Sequence, residues 1–153
     1  MKAFWINDNT PVAPADLKAN GIDYEKLDVK NYQADLDRIK KDNNYVAQDI
    51  VELNPTLPNL ETICAKFDKE HLHTDDEVRF VLAGNGIFDI RSKDDRWMRV
   101  EVTEGDYISV PANRYHQFFL KEDKMIRCVR LFKDNSGWTP LYRKEREAAA
   151  SAN

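Results

Sequence analysis

Apolar residues in the first third of the chain recur at helical spacing. Residues 14–21 begin with proline and end with glycine, which predicts a short helix, because proline suits a first helical turn and glycine a helix end. Tyr32, Leu36 and Ile39 lie on one helical face within a charged segment. This spacing predicts a second helix of about three turns.

The next segment combines a strand with a further helix. Residues 47–53 alternate imperfectly between apolar and polar side chains and stop before Pro55, which predicts a strand. Over residues 58–69, four side chains fall at i, i+3, i+4 and i+7, which predicts a helix with a proline near its start. These four side chains are Leu60, Ile63, Cys64 and Phe67.

From residue 71 onward, short apolar runs alternate with turn residues. The runs cover residues 78–82, 87–90, 97–102, 107–110, 116–120 and 125–132. Many short strands at close spacing predict a sandwich or a barrel. Gly84-Asn85-Gly86 predicts a hairpin turn between the first two runs, because glycine and asparagine tolerate positive φ. Residues 143–153 are charged and then alanine-rich, and we expect them to be frayed.

Composition restricts the class of protein. The chain has 153 residues, of which 42% are hydrophobic and 33% charged, and its formal net charge is −4. We expect one soluble domain, with residues 1–69 packed on a barrel formed by residues 70–142. No basic face predicts binding to nucleic acid, and no apolar run approaches the roughly 20 residues of a membrane-spanning helix. The absence of a long apolar stripe indicates a monomer.

The two cysteines indicate a reducing compartment. Cys64 and Cys128 have neither metal-binding nor redox-active spacing, so we expect both thiols to be reduced and mostly buried. This predicts a cytoplasmic protein, with the nucleus as a further location in a eukaryote.

The three histidines of the sequence are candidate metal ligands. His71 and His73 are two residues apart and would face the same side of a strand, and Glu77 shares that parity. With His116 they provide three imidazoles and one carboxylate, a set that suits iron, nickel, manganese or zinc. A six-coordinate ion would keep two positions open for substrate or water. Taken alone, a His-x-His pair would as readily be two surface histidines in a polar loop.

The spacing of these residues resembles the two motifs of the cupin superfamily. His71-x-His73-x3-Glu77-x6-Gly84 fits the first motif, and Gly105-x5-Pro111-x-Asn113-x2-His116 fits the second. The second motif commonly has glycine at the position of Asn113, and asparagine is the next best residue for positive φ. The resemblance implies an all-β fold, a cupin double-stranded β-helix barrel with a few peripheral N-terminal helices.

A longer stretch of the chain resembles the acireductone dioxygenase family. The similarity is strongest from residue 70 to residue 140. It includes residues 70–80, 84–91, 97–100, 105–106, 111–112, 115–116, 130–132 and 138–139. Gln117, where the family usually has arginine, and the short tail after Tyr142 depart from the pattern. These departures concern contacts typical of the family's C-terminal region and not the metal site.

The resemblance implies a metal-dependent dioxygenase of methionine salvage. One Fe²⁺ or Ni²⁺ would be bound by His71, His73, Glu77 and His116. The substrates would be O₂ and an acireductone, 1,2-dihydroxy-3-keto-5-methylthiopentene. With iron the family forms formate and 4-methylthio-2-oxobutanoate, and with nickel it forms formate, carbon monoxide and 3-methylthiopropionate. The ligand types suit both metals and do not choose between them.

Two arginines are candidates for stabilising the substrate anion. Arg79 lies two residues beyond Glu77 on the same strand face, where charge-assisted hydrogen bonds could bind a deprotonated enediol. Arg130 is a second candidate for this catalytic role. The alternative is that both form ordinary ion pairs, Arg79 with a nearby acid such as Asp75 or Asp76.

Three aromatic residues are candidates for the apolar wall around the methylthio tail. Phe118 shares parity with His116 and should point into the barrel beside the metal. Phe80 and Trp138 are further candidates for substrate binding. Each would also fit as an ordinary core residue, as we expect for Phe88, because aromatic side chains dominate cores.

Two other functions fit the same residues. Another metal-dependent cupin enzyme, such as a different dioxygenase or an isomerase, could use the same ligands. A cupin-fold regulatory or binding protein is the second alternative, although such a protein does not require an ionised carboxylate in its cavity. A panel of substrates distinguishes these functions.

Overall fold

The computed structural model describes residues 1–133 and 139–151. Its strands are β1 (Lys2–Trp5), β2 (Asp23–Lys26), β3 (Ala47–Leu53), β4 (His71–Leu72), β5 (Glu77–Arg91), β6 (Trp97–Thr103), β7 (Asp106–Val110), β8 (His116–Phe119), β9 (Ile126–Phe132) and β10 (Leu141–Tyr142). Its helices are α1 (Pro14–Ala19), α2 (Gln33–Asn43), α3 (Leu60–Phe67) and α4 (Arg143–Ser151). None of the helices in the described ranges has the length and apolar character needed to cross a bilayer.

Strand β5 joins the two sheets of the barrel. One sheet has the order β1-β6-β5-β8-β4-β10, and the other has the order β2-β7-β5-β9-β3. The first half of β5 pairs with β7 and β9, and its second half pairs with β6 and β8. This mostly β architecture, with three helices before residue 70, confirms the predicted cupin barrel with peripheral helices.

A β-bulge in β5 sets which side chains face the interior. The register against β9 shifts between Val81 and Ala83, where one strand contains an extra residue. Odd-numbered side chains before the bulge therefore face the same side as even-numbered side chains after it. In agreement, Glu77, Arg79 and Phe88 line one cavity.

The hairpin turn predicted at Gly84-Asn85-Gly86 is wrong, because β5 continues through these residues. Gly84 has a φ of +79°, and a Cβ atom at this position would lie 2.2 Å from the carbonyl oxygen of Met125. A Cβ atom at Gly86 would lie 2.7 Å from the ring of Phe118. Both glycines therefore permit the close approach of neighbouring strands instead of forming a turn.

The first two helices form where the sequence predicted them. Helix α1 begins at Pro14 and buries Leu17. Helix α2 buries Leu36 and Ile39 and ends at Asn44, whose φ of 60° closes the helix in the left-handed conformation. Helix α3 also forms, and it begins two residues after the proline that was expected near its start.

The C-terminal segment forms regular structure where the sequence predicted fraying. Tyr142 of β10 pairs with His71 of β4, and helix α4 follows directly. The Arg143 side chain donates hydrogen bonds to Glu70 and Asp95. These contacts hold the segment against the strand that carries His71, which the alanine-rich composition did not indicate.

Two apolar clusters form the core within the described residues. The larger contains residues of α1 and of β5, β6, β7 and β9, among them Leu17, Val81, Phe88, Ile90, Met98, Val100, Ile108 and Cys128. The smaller lies beneath α2 and contains Leu36, Ile39, Tyr45, Phe80, Tyr107, Val129 and Leu131. The two clusters are separate, so an aromatic residue that packs against α2 does not face the barrel interior.

Candidate metal centre

Three histidines and one glutamate converge inside the barrel. One ring nitrogen from each of His71, His73 and His116 lies within 4.8 Å of the others. Glu77 Oε2 lies 3.0 Å from His116 Nε2, and Glu77 Oε1 lies 3.8 Å from His73 Nε2. All three histidines are buried, so the fold brings together the four residues that the motifs had singled out.

Each of these residues has a defined place in the barrel. His71 of β4 pairs directly with His116 of β8, and Glu77 opens β5. Asn113 lies in the loop before His116, and its φ of 63° shows that asparagine adopts the left-handed conformation there. The Asn113 N–H donates a 2.8 Å hydrogen bond to the carbonyl oxygen of His73, which links the two ligand-bearing loops.

Hydrogen bonds orient two of the imidazoles for metal binding. His71 Nδ1 donates to the Lys69 carbonyl at 2.6 Å, and His116 Nδ1 donates to the Arg114 carbonyl at 2.9 Å. Because a carbonyl oxygen only accepts, each Nδ1 carries the proton and each Nε2 keeps a lone pair. His71 Nε2, His116 Nε2 and Glu77 Oε2 are buried without a hydrogen-bond partner. Buried polar atoms need a partner, so this arrangement fits a bound cation.

The protonation states also favour a cation. Burial lowers the pKa of His71 to about 4, so its imidazole is neutral at pH 7. Burial alone would raise the pKa of Glu77. The positive charge of Arg79, together with the neighbouring His116 and His73, outweighs this effect and holds the pKa of Glu77 well below its usual range. The site therefore offers a neutral imidazole and an ionised carboxylate, the forms in which these groups bind metals.

An apolar cavity of about 180 Å³ adjoins Glu77. Its apolar lining consists of Val51, Leu53, Ile63, Phe67, Phe88, Phe118, Ile126 and Cys128. Arg79 and Arg130 complete the lining together with Glu77. The structure thus places Phe118 in the cavity wall, where its ring centroid lies 4.9 Å from that of Phe88.

The two candidate arginines line this cavity but are held differently. Arg79 donates one hydrogen bond to Glu77 Oε1 at 3.2 Å and one to the Val78 carbonyl at 2.9 Å. Arg130 forms a bidentate pair with Asp49, with its Nε 2.7 Å from Oδ1. The charge of Arg130 is therefore balanced by a dedicated carboxylate, whereas Arg79 contacts the carboxylate of a candidate ligand.

The structure does not bring Phe80 to the site. Phe80 is fully buried on the opposite face of β5 from Arg79, and its ring centroid lies 5.0 Å from that of Tyr32. The alternation of side chains along a strand requires this, because Phe80 directly follows Arg79. Trp138, the other aromatic candidate, lies outside the described residues.

Sequence reasoning missed two aromatic residues of the cavity. Phe67 ends α3, and its ring centroid lies 5.8 Å from that of His71 and 6.5 Å from that of His73. Phe67 and Ile63, one turn earlier, make α3 a wall of the cavity. Their helical spacing was visible in the sequence, but it did not show which neighbour the helix covers. Phe88, the second of these residues, lines the cavity from β5, although the sequence analysis assigned it to the core.

A smaller cavity of about 160 Å³ lies on the His73 side of the site. It shares Phe67, Glu77, Arg79 and Arg130 with the apolar cavity and adds His73 and Asp76. The four shared residues therefore lie between an apolar space and a more polar one, and Glu77 borders both.

Comparison with known proteins gives consistent matches. A family model described as the ARD/ARD' family matches residues 8–140. Acireductone dioxygenase of Heterostelium pallidum is 41% identical over 145 residues, covering 95% of this chain and 99% of that protein. Acireductone dioxygenase of Xenopus laevis is 41% identical over 145 residues, covering 93% of this chain and 81% of that protein.

A solved structure matches the fold as well. The acireductone dioxygenase from Bacillus anthracis, with a cadmium ion in its active center, has a TM-score of 0.86 and 32% identity to this chain. The match covers 92% of this chain and 97% of that protein. The family model spans all four candidate ligands and most of the barrel. From the family model, the relatives and the shared fold together, the chain belongs to the ARD/ARD' family.

Proposed function

We propose that this chain cleaves an acireductone, 1,2-dihydroxy-3-keto-5-methylthiopentene, with O₂ as a step of methionine salvage. The chain is a dioxygenase of its family, and the relatives named above are acireductone dioxygenases. The observation that carries the proposal is a buried set of metal-binding side chains that adjoins an apolar cavity. The enediol fits the polar side of this cavity, and the methylthio tail fits the apolar side.

His71, His73, Glu77 and His116 would hold one Fe²⁺ or Ni²⁺. When bound, the ion acts as a Lewis acid that aligns the substrate and stabilises the negative charge on its oxygens. The imidazole and carboxylate donors suit both metals. The hydrogen bonds from His71 and His116 to backbone carbonyls fix both rings before any ion arrives, which reduces the cost of binding.

Arg79 supplies positive charge where the enediol loses its protons. Its guanidinium is anchored to Glu77 and to the Val78 carbonyl, so its orientation is set before the substrate binds. Charge-assisted hydrogen bonds from Arg79 then stabilise the enediolate oxygens. The apolar surroundings strengthen this interaction relative to water. Arg130, already paired with Asp49, contributes mainly to the shape of the cavity.

The apolar lining binds the methylthio tail and excludes water. Phe67 and Ile63 cover the cavity from α3, while Phe88 and Phe118 line it from β5 and β8. With the tail held there, the enediol is directed toward Glu77 and Arg79, and this fixed orientation lowers the entropic part of the barrier.

Each set of products contains all the atoms of the acireductone and O₂. With Fe²⁺ the chain forms formate and 4-methylthio-2-oxobutanoate. With Ni²⁺ it forms formate, carbon monoxide and 3-methylthiopropionate, because one further carbon–carbon bond breaks. The protein residues around the substrate are the same in both reactions, so the proposal assigns the difference to the metal.

A product analysis tests this function. Metal-free protein is reloaded in separate samples with Fe²⁺ and Ni²⁺, metal content is verified, and each sample receives acireductone in air. We expect formate with the keto acid from the iron sample, and carbon monoxide from the nickel sample. Metal-loaded protein that does not accelerate the oxidation above the uncatalysed rate would contradict the proposal. Turnover of other enediols in a substrate panel, without turnover of the acireductone, would favour a different cupin dioxygenase.

A further inference from the structure

We propose that Gly86 is a positioning residue that determines how long a substrate tail the cavity accepts. The glycine achieves this by letting the Phe118 ring lie directly against the backbone of β5. The inference rests on the proposed function, because the tail in question is that of the acireductone.

Gly86 lies behind two residues of the cavity wall. A Cβ atom at this position would be 2.7 Å and 2.8 Å from Cε2 and Cζ of Phe118, and 3.2 Å from Cδ1 of Ile126. Carbon atoms in contact prefer separations of about 3.5–4.0 Å. Phe118 and Ile126 both line the cavity, whereas Gly86 does not. Any side chain at position 86 must therefore displace wall residues without itself entering the cavity.

The backbone of β5 does not itself require glycine at this position. Among the described glycines, positive φ values occur at Gly21, Gly84 and Gly105, and Gly86 is not in this group. Alanine can adopt the strand conformation of Gly86 without strain. The reason for glycine is therefore the space occupied by the Phe118 ring, in contrast to Gly84, whose positive φ already favours glycine.

The Phe118 ring borders two open spaces, the apolar cavity and a groove of about 210 Å³ beside α3. The backbone of β5 lies on one side, and the buried Phe88 ring lies 4.9 Å away between centroids. Closely packed side chains such as Phe88 resist displacement. An alanine methyl at position 86 would lie on the same face of β5 as Phe88, which lines the cavity, so we expect it to push the Phe118 ring into this cavity of about 180 Å³ and not into the groove. The space for the far end of the tail shrinks, while Glu77 and Arg79 stay in place.

The first test compares two substrates with the iron-loaded variant Gly86→Ala. One substrate is the methylthio acireductone, and the other is an acireductone whose tail is shorter by two heavy atoms. A methylene in a hydrophobic pocket changes discrimination about 10- to 200-fold, so we expect kcat/KM for the long tail to fall at least about tenfold relative to the short tail. The double variant Gly86→Ala/Phe118→Leu should restore turnover of the long tail, because a leucine leaves room for the added methyl.

A matched control keeps this result specific. Ile87→Val removes one methyl from the neighbouring residue of β5, which does not line the cavity. This variant should keep the tail preference of the wild type. An equal loss for both tails in Gly86→Ala, or an unchanged preference, would overturn the inference while leaving the proposed function intact.

A second test does not depend on activity. A crystal structure of Gly86→Ala should show the Phe118 ring displaced toward the cavity and the cavity reduced. A ring in its original position, or one displaced into the groove beside α3, would overturn the inference even if the wild type turned over neither substrate. Absence of turnover by the metal-loaded wild type, with the ring displaced in the variant, would contradict the proposed function alone.

Discussion

The backbone conformation of Asn113 allows a hydrogen bond that joins the two loops next to the candidate metal ligands. Asn113 has a φ of 63°, its side chain is exposed, and its N–H binds the His73 carbonyl. Asparagine tolerates the left-handed conformation better than most residues that carry a Cβ atom. The sequence could predict this conformation, because the cupin motif commonly has glycine at this position.

The variants Asn113→Gly and Asn113→Ala separate backbone conformation from side-chain contacts. We expect Asn113→Ala to lower the free energy of unfolding by roughly 1 kcal/mol, because most L-residues are disfavoured at positive φ. Asn113→Gly should be close to neutral. Urea denaturation of the metal-free proteins measures both changes. An equal destabilisation by alanine and glycine would show that the asparagine side chain, and not its φ, is what matters.

Arg79 is the residue whose removal should separate catalysis from metal binding. Arg79→Met removes the charge next to the enediol, and we expect kcat/KM to fall about 100-fold, as when a group that stabilises transition-state charge is lost. Arg79→Lys should retain part of the activity. Arg127→Met, an exposed position on β9, serves as the control. Steady-state O₂ uptake measures the effect. Wild-type kcat/KM in Arg79→Met with metal bound would exclude the role of Arg79.

At the scale of elements, the bulge in β5 explains most of what the sequence could not reveal. The motif spacing predicted all four candidate ligands, because their positions depend on the alternation of side chains along a strand and on the order of the two cupin motifs. The Gly84-Asn85-Gly86 segment was predicted to be a turn, since glycine is as typical of turns as of close strand contacts. A strict period of two carried through the bulge would also place Phe88 on the face opposite to Arg79. Its role in the cavity therefore depends on an extra residue that alternation cannot locate.

The first three helices were predictable from the sequence, but the surfaces that they cover were not. Apolar spacing predicted α2 and α3, because burial of one helical face leaves a periodic pattern, whereas a proline at the start and a glycine at the end predicted α1. This spacing did not show that α3 covers the apolar cavity. The C-terminal helix α4 has no apolar side chain larger than alanine, and its contacts include ion pairs between residues distant in sequence.

The Arg143 side chain joins the C-terminal segment to the residues around β4, the strand that carries His71. It binds Glu70 at 2.9 Å and Asp95 at 2.8 Å, and its guanidinium lies 4.9 Å from the centre of the Tyr115 ring. Glu70 directly precedes His71 in the chain. Arg143 thus supports the backbone that positions this imidazole, as outer contacts of metal ligands commonly do.

Arg143→Met should therefore weaken metal binding. Loss of an outer contact of a ligand lowers metal affinity about 10- to 100-fold, and we expect a value near the lower end because Arg91 also binds Glu70. Lys144→Met is the matched control on the same helix. Calorimetric titration of the metal-free proteins with Ni²⁺ measures both affinities. If Arg143→Met bound Ni²⁺ as tightly as the control, the side-chain contacts of Arg143 would have no part in shaping the site.

At the scale of the whole molecule, the barrel brings together candidate metal ligands from separate parts of the chain. His71 lies on β4, His73 in the following loop, Glu77 at the start of β5, and His116 on β8. Because β5 belongs to both sheets, it carries both Glu77, the candidate carboxylate ligand, and part of the cavity wall. A metal bound there would connect elements that are distant in sequence, so metal binding and folding should stabilise each other.

The central claim is that one ion bound by these four residues carries out the cleavage of the acireductone. The most direct test measures metal content and formate production on the same preparations of the wild type and of His116→Ala, with the fold verified by circular dichroism. The account predicts one ion per chain and rapid formate production for the wild type, and the loss of both in the folded variant. Full metal occupancy in His116→Ala, or formate production at the wild-type rate without bound metal, would contradict it.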